Sequence, residues 1–303
     1  MIFAVDIGGT RLKAARVASD GSIVAWRAIP SPATLDAFQQ QARAMVAELG
    51  EGAQAAGIGC KGNIDPVSTY VKSLPGTMHY LEGQTLCELF GIHPAFADND
   101  ARVALFGEST FGAARGARDV LLLTLGTGVG GGVLMDGVAL RGVTGAAGHL
   151  GHYTVNPNGE LCICGNRGCL ETIFSAKAIE AALHSALSRG VATRLTAAAT
   201  CADVFSNADD PLCHAILEPR IEALAGALAG MSFAFDPEVI VIGGQVAEAG
   251  DVLFGPLRRQ HTARTMPFLR REIPIRKAEV SDGVVGAAAL AVRGLREAGA
   301  RLA

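Results

Sequence analysis

The sequence has no apolar run approaching 18 uninterrupted residues and no clustered stripe of Lys and Arg. A membrane span needs the first and a nucleic-acid surface the second, so neither partner is expected. Lys and Arg number 26 against 29 Asp and Glu, a net charge of −3, which points the same way. No signal peptide is read, because the first predicted strand begins at residue 2 and carries an acid at Asp6; the chain is expected in the cytoplasm. Cysteine is thinly spread. Of seven, Cys60, Cys87, Cys201 and Cys213 stand alone in apolar surroundings and read as packed thiols rather than reactive ones. What is abundant is apolar mass: 50% of the 303 residues are hydrophobic and 18% charged, enough for a sizeable core, and the length predicts two domains.

The remaining three cysteines fall together. His152 precedes a Cys162-x-Cys164-x4-Cys169 cluster, and one imidazole with three thiolates is a full tetrahedral set for zinc. No position is left for a reacting water, so the expected metal is structural. Cys162 and Cys164 flank a single residue, too tight for an unstrained disulfide with each other. The plainer alternative is a loop with three unrelated thiols.

A weak internal repeat organises the chain. Residues 2–26 run strand, Gly-rich turn, strand, Asp20-Gly21 turn, strand, and residues 120–142 do the same. Helical patterns follow each copy, at 35–49 in the first half and at 176–187 and 216–235 in the second. Two α/β domains with a cleft between them are predicted, the first over 1–118 and the second over 119–285.

The glycine turns are the first candidates for chemistry. In Asp6-Ile7-Gly8-Gly9-Thr10 the glycines expose backbone N–H groups suited to phosphate oxygens, Asp6 is placed to hold a hydrated Mg2+, and Thr10 offers a hydroxyl. Gly126-Thr127-Gly128-Val129-Gly130-Gly131-Gly132 reads as a second cradle, and Gly243-Gly244 after the strand 239–242 as a place where a nucleoside approaches the backbone. Neither of the first two fits a Walker loop or a dinucleotide turn. Singly, each is equally an ordinary tight hairpin.

Asp98-Asn99-Asp100 leads into the helical run 103–108. Capping alone explains such acids. A helix start also lowers a carboxylate's pKa and fixes its position, as a base taking a proton from a hydroxyl requires.

Together with Cys162-x-Cys164-Gly165-x2-Gly168-Cys169-x-Glu171, these motifs resemble the ROK family, the repressors and sugar kinases of the actin-like ATPase superfamily, in order and over nearly the whole chain. The resemblance implies two ribonuclease-H-like α/β domains around a cleft, with a C-terminal helix at about 286–303 packing back on the first. It implies an ATP-dependent kinase acting on the 6-hydroxyl of a hexose or aminosugar, with Mg2+ and a structural zinc. Asp100 is then the catalytic base, and Asn99, Gly62 and Glu171 bind the sugar. His152 serves both zinc and sugar, while Asp6, Gly8, Gly9, Thr10, Thr127, Gly128, Gly243 and Gly244 meet ATP and Mg2+. A homodimer is common in the family.

Departures bear on specificity. Where sugar kinases of the family usually read Gly-Glu-x-Gly-His, this chain reads Gly148-His149-Leu150-Gly151-His152, replacing a two-acceptor carboxylate by an imidazole with one donor and one acceptor. Plain glucose specificity is thereby in doubt, and certain N-acetylmannosamine kinases of the family carry an imidazole here. Lys61-Gly62 stands where the family usually has Pro-Gly, Ser73 where an Asn often precedes Leu-Pro-Gly, and Arg102 where Asn is commoner. Lys61 reads as surface charge or as reaching toward an anionic or polar substituent, and Arg102 as solvated. Two other classes remain. A sugar-responsive repressor would carry an added helix-turn-helix ahead of the strand at residue 2. A non-catalytic sugar sensor is allowed by His149 and opposed by Asp100.

Overall fold

Ile2, Phe3, Ala4, Val5 and Ile7 are almost wholly enclosed, which is what a strand covered on both faces requires and why the chain opens on a near-continuous apolar run. The fold is that of a computed structural model describing residues 1–74, 77–280 and 282–299; Pro75 and Gly76 of the Leu-Pro-Gly segment and 300–303 of the expected last helix lie outside the described residues. The chain divides into two compact units, one of 1–116, 141–147 and 279–303, the other of 117–140 and 148–278.

In the first unit β1 (Ile2–Ile7), β2 (Arg11–Val17) and β3 (Ile23–Pro30) form an antiparallel meander. Helix α1 (Leu35–Leu49) follows, its Thr34 cap accepting the Ala37 amide and its Phe38, Ala42, Met45 and Leu49 buried at helical spacing. Then come β4 (Ala55–Cys60), a short β5 (Asn63–Ile64) and β6 (Val71–Ser73) pair, α2 (Leu86–Phe90), β7 (Ala95–Asn99) and α3 (Asp100–Thr110). The sheet order is β3-β2-β1-β4-β7, with β1, β4 and β7 parallel. Helix α3 starts at Asp100, three residues before the predicted run, because the Asn99 side chain caps it.

The second unit repeats the plan. Strands β8 (Val120–Leu125), β9 (Val129–Met135) and β10 (Val138–Ala139) form the meander, with Asp136 and Gly137 both at positive φ between the last two. Helices α4 (Leu170–Phe174), α5 (Ala176–Ser188), α6 (Cys201–Ser206) and α7 (Pro211–Phe235) precede β11 (Val239–Gly243), α8 (Asp251–Leu269) and β12 (Ile275–Lys277). The order β10-β9-β8-β11-β12 matches that of the first sheet. Its core gathers Leu121, Leu123, Phe174, Leu183, Leu228 and Ile242.

Helix α9 (Gly283–Glu297) returns to the first unit. It lies so close that a Cβ on Gly57 of β4 would sit 1.9 Å from the Ala287 carbonyl oxygen, and one on Gly286 2.6 Å from that of Val103. Glycine at both places is what permits this packing. Among the described residues no helix is long and apolar enough to cross a membrane.

Candidate active site

In the first unit three parallel strands end side by side, the arrangement at whose carboxyl edge ligands bind in open α/β sheets. Ile7 pairs with Cys60 and Cys60 with Asn99, so the next positions along the edge are Gly8, Lys61 and Asp100. The Asn99 amide is oriented at both ends: its oxygen accepts the Ala101 N–H at 3.0 Å and its Nδ2 donates to the Gly62 carbonyl at 2.9 Å. Gly62 has φ +90, and a Cβ there would stand 2.3 Å from the Ser73 carbonyl oxygen. Asp100 opens α3 exposed to solvent, and its carboxylate also accepts the Ala101 amide, at 2.9 Å.

Asp6, near the end of β1, has its carboxyl pushed up to about 6, chiefly by burial, with the Asp100 and Asp282 charges adding and Lys13 opposing. Lys13 in turn pairs with Asp282 at 3.2 Å, and Asp282 caps α9. A Cβ on Gly283 would meet the Asp6 carboxylate at 2.5 Å, so the first turn of α9 is pressed against it. Several carboxylates around one partly buried acid suit a cation. The turn itself differs from the expectation in one respect: the Gly8 amide donates to the Arg11 carbonyl at 3.0 Å, closing the hairpin, which leaves the amides of Gly9 and Thr10 as the ones to meet a phosphate.

Arg102, expected to be solvated, is not; its side chain is 1% exposed. Its Nε donates to Asp98 at 2.6 Å and its Nη1 to the carbonyls of Gly145 and Ala147 at 3.1 and 3.0 Å, while Arg141 donates to the other Asp98 oxygen at 2.9 Å. Burial of Asp98 is what draws the guanidinium in, since an enclosed carboxylate must be paired. In the sequence Asp98 reads only as part of a capping segment and Arg141 does not stand out, although the i,i+4 spacing of Asp98 and Arg102 is readable as a pair.

Of the second glycine run, only Gly126-Thr127-Gly128 makes a turn, with Thr127 exposed at its tip and the Gly126 amide donating to the Gly128 carbonyl at 3.0 Å. Gly130, Gly131 and Gly132 lie inside β9 and form no cradle. Gly131 is small because the segment carrying His149 and His152 packs on it: a Cβ there would meet Leu150 at 2.9 Å, and one on Gly151 the Val129 carbonyl oxygen at 1.9 Å. Glu171, in the first turn of α4, accepts the Val129 amide at 2.9 Å, and its oxygen leaves only 2.5 Å to a Cβ on Gly128. Gly244 has φ +85 and faces the Leu125 backbone too closely for any Cβ, and Gly243 packs on Ala278. Just after them Gln245, Val246 and Glu248 join Glu180, Cys201 and Phe205 around a cavity of about 530 Å3.

His152, Cys162, Cys164 and Cys169 converge, with ligand atoms all within 4.8 Å of one another. His152 Nδ1 lies 3.5 Å from Cys162 Sγ, and Cys164 Sγ 3.6 Å from Cys169 Sγ. Sulfurs about 2.3 Å from one tetrahedral ion stand about 3.8 Å apart, so the donor set fits zinc. Burial pushes the Cys169 thiol up to about 12, whereas the Asn166 amide holds Cys164 below the usual thiol range. A buried thiol of that kind ionises when a cation takes the proton's place. Of the lone thiols, Cys60, Cys201 and Cys213 are buried and Cys87 partly so.

The chain is 34% identical to a glucokinase of Thermotoga maritima over 95% of its own length and 96% of that protein's. It is also 34% identical to an N-acetylmannosamine kinase of Citrobacter koseri, over 95% and 97%. The structure superposes on a ROK family glucokinase from Streptomyces griseus, crystallised with glucose and AMPPNP, with a TM-score of 0.79 at 29% identity, covering 95% of this chain and 98% of that one. The ROK family model matches residues 2–293. The chain is therefore a member of the ROK family.

Proposed function

We propose that this protein is an ATP-dependent sugar kinase that moves the γ-phosphoryl group to the 6-hydroxyl of a hexose or aminosugar. The observation that carries the reading is the Asn99–Asp100 corner, where a fully oriented amide and an exposed carboxylate open a helix at the edge shared with the Gly8-Gly9-Thr10 turn. Both curated relatives named above carry sugar-kinase names, which supports the same class.

Asp100 accepts the hydroxyl proton as the sugar oxygen attacks, and Asn99, Gly62, His149, His152 and Glu171 bind sugar hydroxyls. The turn amides of Gly9 and Thr10, with Thr127 and Gly128, hold the phosphates. The nucleoside occupies the cavity beyond Gly243 and Gly244. Asp6 would hold Mg2+, which would neutralise phosphate charge, the main chemical help in a transfer governed by positioning and electrostatics. His152, Cys162, Cys164 and Cys169 would hold zinc, which would leave the other His152 ring nitrogen for the sugar and fix the loop that bears it. The protein is expected to work as a homodimer.

His149 bears on the choice of sugar, because it replaces an acceptor for two hydroxyls. A non-catalytic sensor is the reading opposed by Asp100. Incubation of purified protein with ATP and a panel of hexoses and N-acetylhexosamines, read by ADP release, tests the proposal. Sugar-dependent ADP is expected; sugar binding without ADP from any member would favour the sensor.

A further inference from the structure

Lys61 stands where sugar kinases of this family usually have the proline of a Pro-Gly pair, and it is held at a specific place. The strand register puts it in the row with Gly8 on one side and Asp100 on the other. Its Nζ is 3.5 Å from the Thr77 hydroxyl, which donates to the Gly9 carbonyl at 3.3 Å. A methyl group on Gly9 would lie 3.6 Å from that nitrogen. The ammonium thus sits beside the glycine turn. Among the described residues it enters no ion pair, whereas Lys13 of the same edge is held by Asp282. Gly62, next in the chain, is locked at positive φ under Ser73 and bonded to Asn99, so the Lys61 backbone keeps a defined distance from Asp100.

From this placement we infer that Lys61 is a catalytic residue that contacts the phosphoryl group during transfer. The inference rests on the kinase reading above. In the step, the bond from the β–γ bridging oxygen to the γ-phosphorus breaks and one from the sugar 6-oxygen to that phosphorus forms. The hydroxyl proton goes to Asp100, ADP leaves with the bridging electron pair, and Lys61 stays protonated throughout. A cation placed between the phosphate turn and the base offsets charge on the equatorial oxygens, where a loose transition state carries it. A proline at this position supplies no such charge.

Lys61→Met keeps the stem and removes the charge, and Lys61→Arg keeps the charge. Affinities of each protein for Mg·AMPPNP and Mg·ADP are measured by calorimetry, alongside kcat and KM on the sugar panel. Losing a charged hydrogen bond to the terminal phosphoryl should cut AMPPNP affinity and kcat about 10- to 100-fold in Lys61→Met. ADP affinity and sugar KM should hardly move, and Lys61→Arg should recover part of the loss. An unchanged preference for AMPPNP over ADP overturns the inference, as does a loss confined to sugar KM, which would place the ammonium on the sugar. If wild type binds both nucleotides yet phosphorylates no sugar, the kinase reading fails while the nucleotide preference still decides whether Lys61 meets the terminal phosphoryl. Wild type that binds neither nucleotide overturns both.

Discussion

Arg102 donates its Nε to Asp98 across 2.6 Å, with neither side chain more than 1% exposed. The pair does more than neutralise itself. Through Nη1 the same guanidinium holds the carbonyls of Gly145 and Ala147, so residues 141–147 are strapped to the β7–α3 corner that carries Asn99 and Asp100.

Removing Arg102 should therefore be costly. Arg102→Ala leaves a buried carboxylate with Arg141 as its remaining cation, and a broken buried pair costs about 3–5 kcal/mol, here toward the lower end because Arg141 stays. Chemical denaturation of the two proteins reads this as a lower midpoint. Stability equal to wild type would mean the pair contributes nothing net.

Asp100→Asn separates chemistry from structure. The cap of α3 is Asn99, so folding and sugar affinity should hold, while turnover falls about 100-fold or more, the typical share of a general base. Steady-state kinetics beside thermal melting decide it; near-normal turnover would remove Asp100 from that role.

The His/Cys cluster should contain about one zinc per chain by elemental analysis of protein purified without chelator. Cys164→Ser should lose the metal and weaken sugar binding, because Cys169 is followed two residues later by Glu171, which is bonded to the Val129 amide. Full sugar affinity in a metal-free variant would show that the cluster only staples the loop.

His149→Glu should raise kcat/KM for glucose. Wild type should prefer a sugar altered at C2, with N-acetylmannosamine the first to try, since an unpaired buried hydroxyl costs roughly 1–3 kcal/mol, about 5- to 150-fold. Glucose used as well by wild type as by the variant would count against any part for His149 in specificity.

Asp6 predicts a pH dependence in metal-free protein. Its folded pKa of about 6 lies above the ordinary value of 3.8, so the folded state binds the proton more tightly than the unfolded state. Its effect on stability is most favourable below about pH 4, is lost as pH rises through about 6, and is flat above. Asp6→Asn should flatten that fall in denaturation midpoints taken from pH 4 to 7. An identical slope in the variant would mean that Asp6 titrates normally.

Local pattern carried much of this molecule. The repeat of hairpins, helix α1 over its full length, the strand 239–242 and the metal-ligand set were legible because each depends on spacing within a few residues, where periodicity and turn chemistry act. Long-range packing decided the rest. Arg102 looks solvated until Asp98 is found sealed inside the sheet, and Gly130 to Gly132 look like a turn until they are seen paired with β8 and Gly131 is seen under Leu150. Only the register of β1, β4 and β7 puts Gly8, Lys61 and Asp100 in one row, because pairing between strands is settled by burial of whole faces and leaves no mark on any single segment.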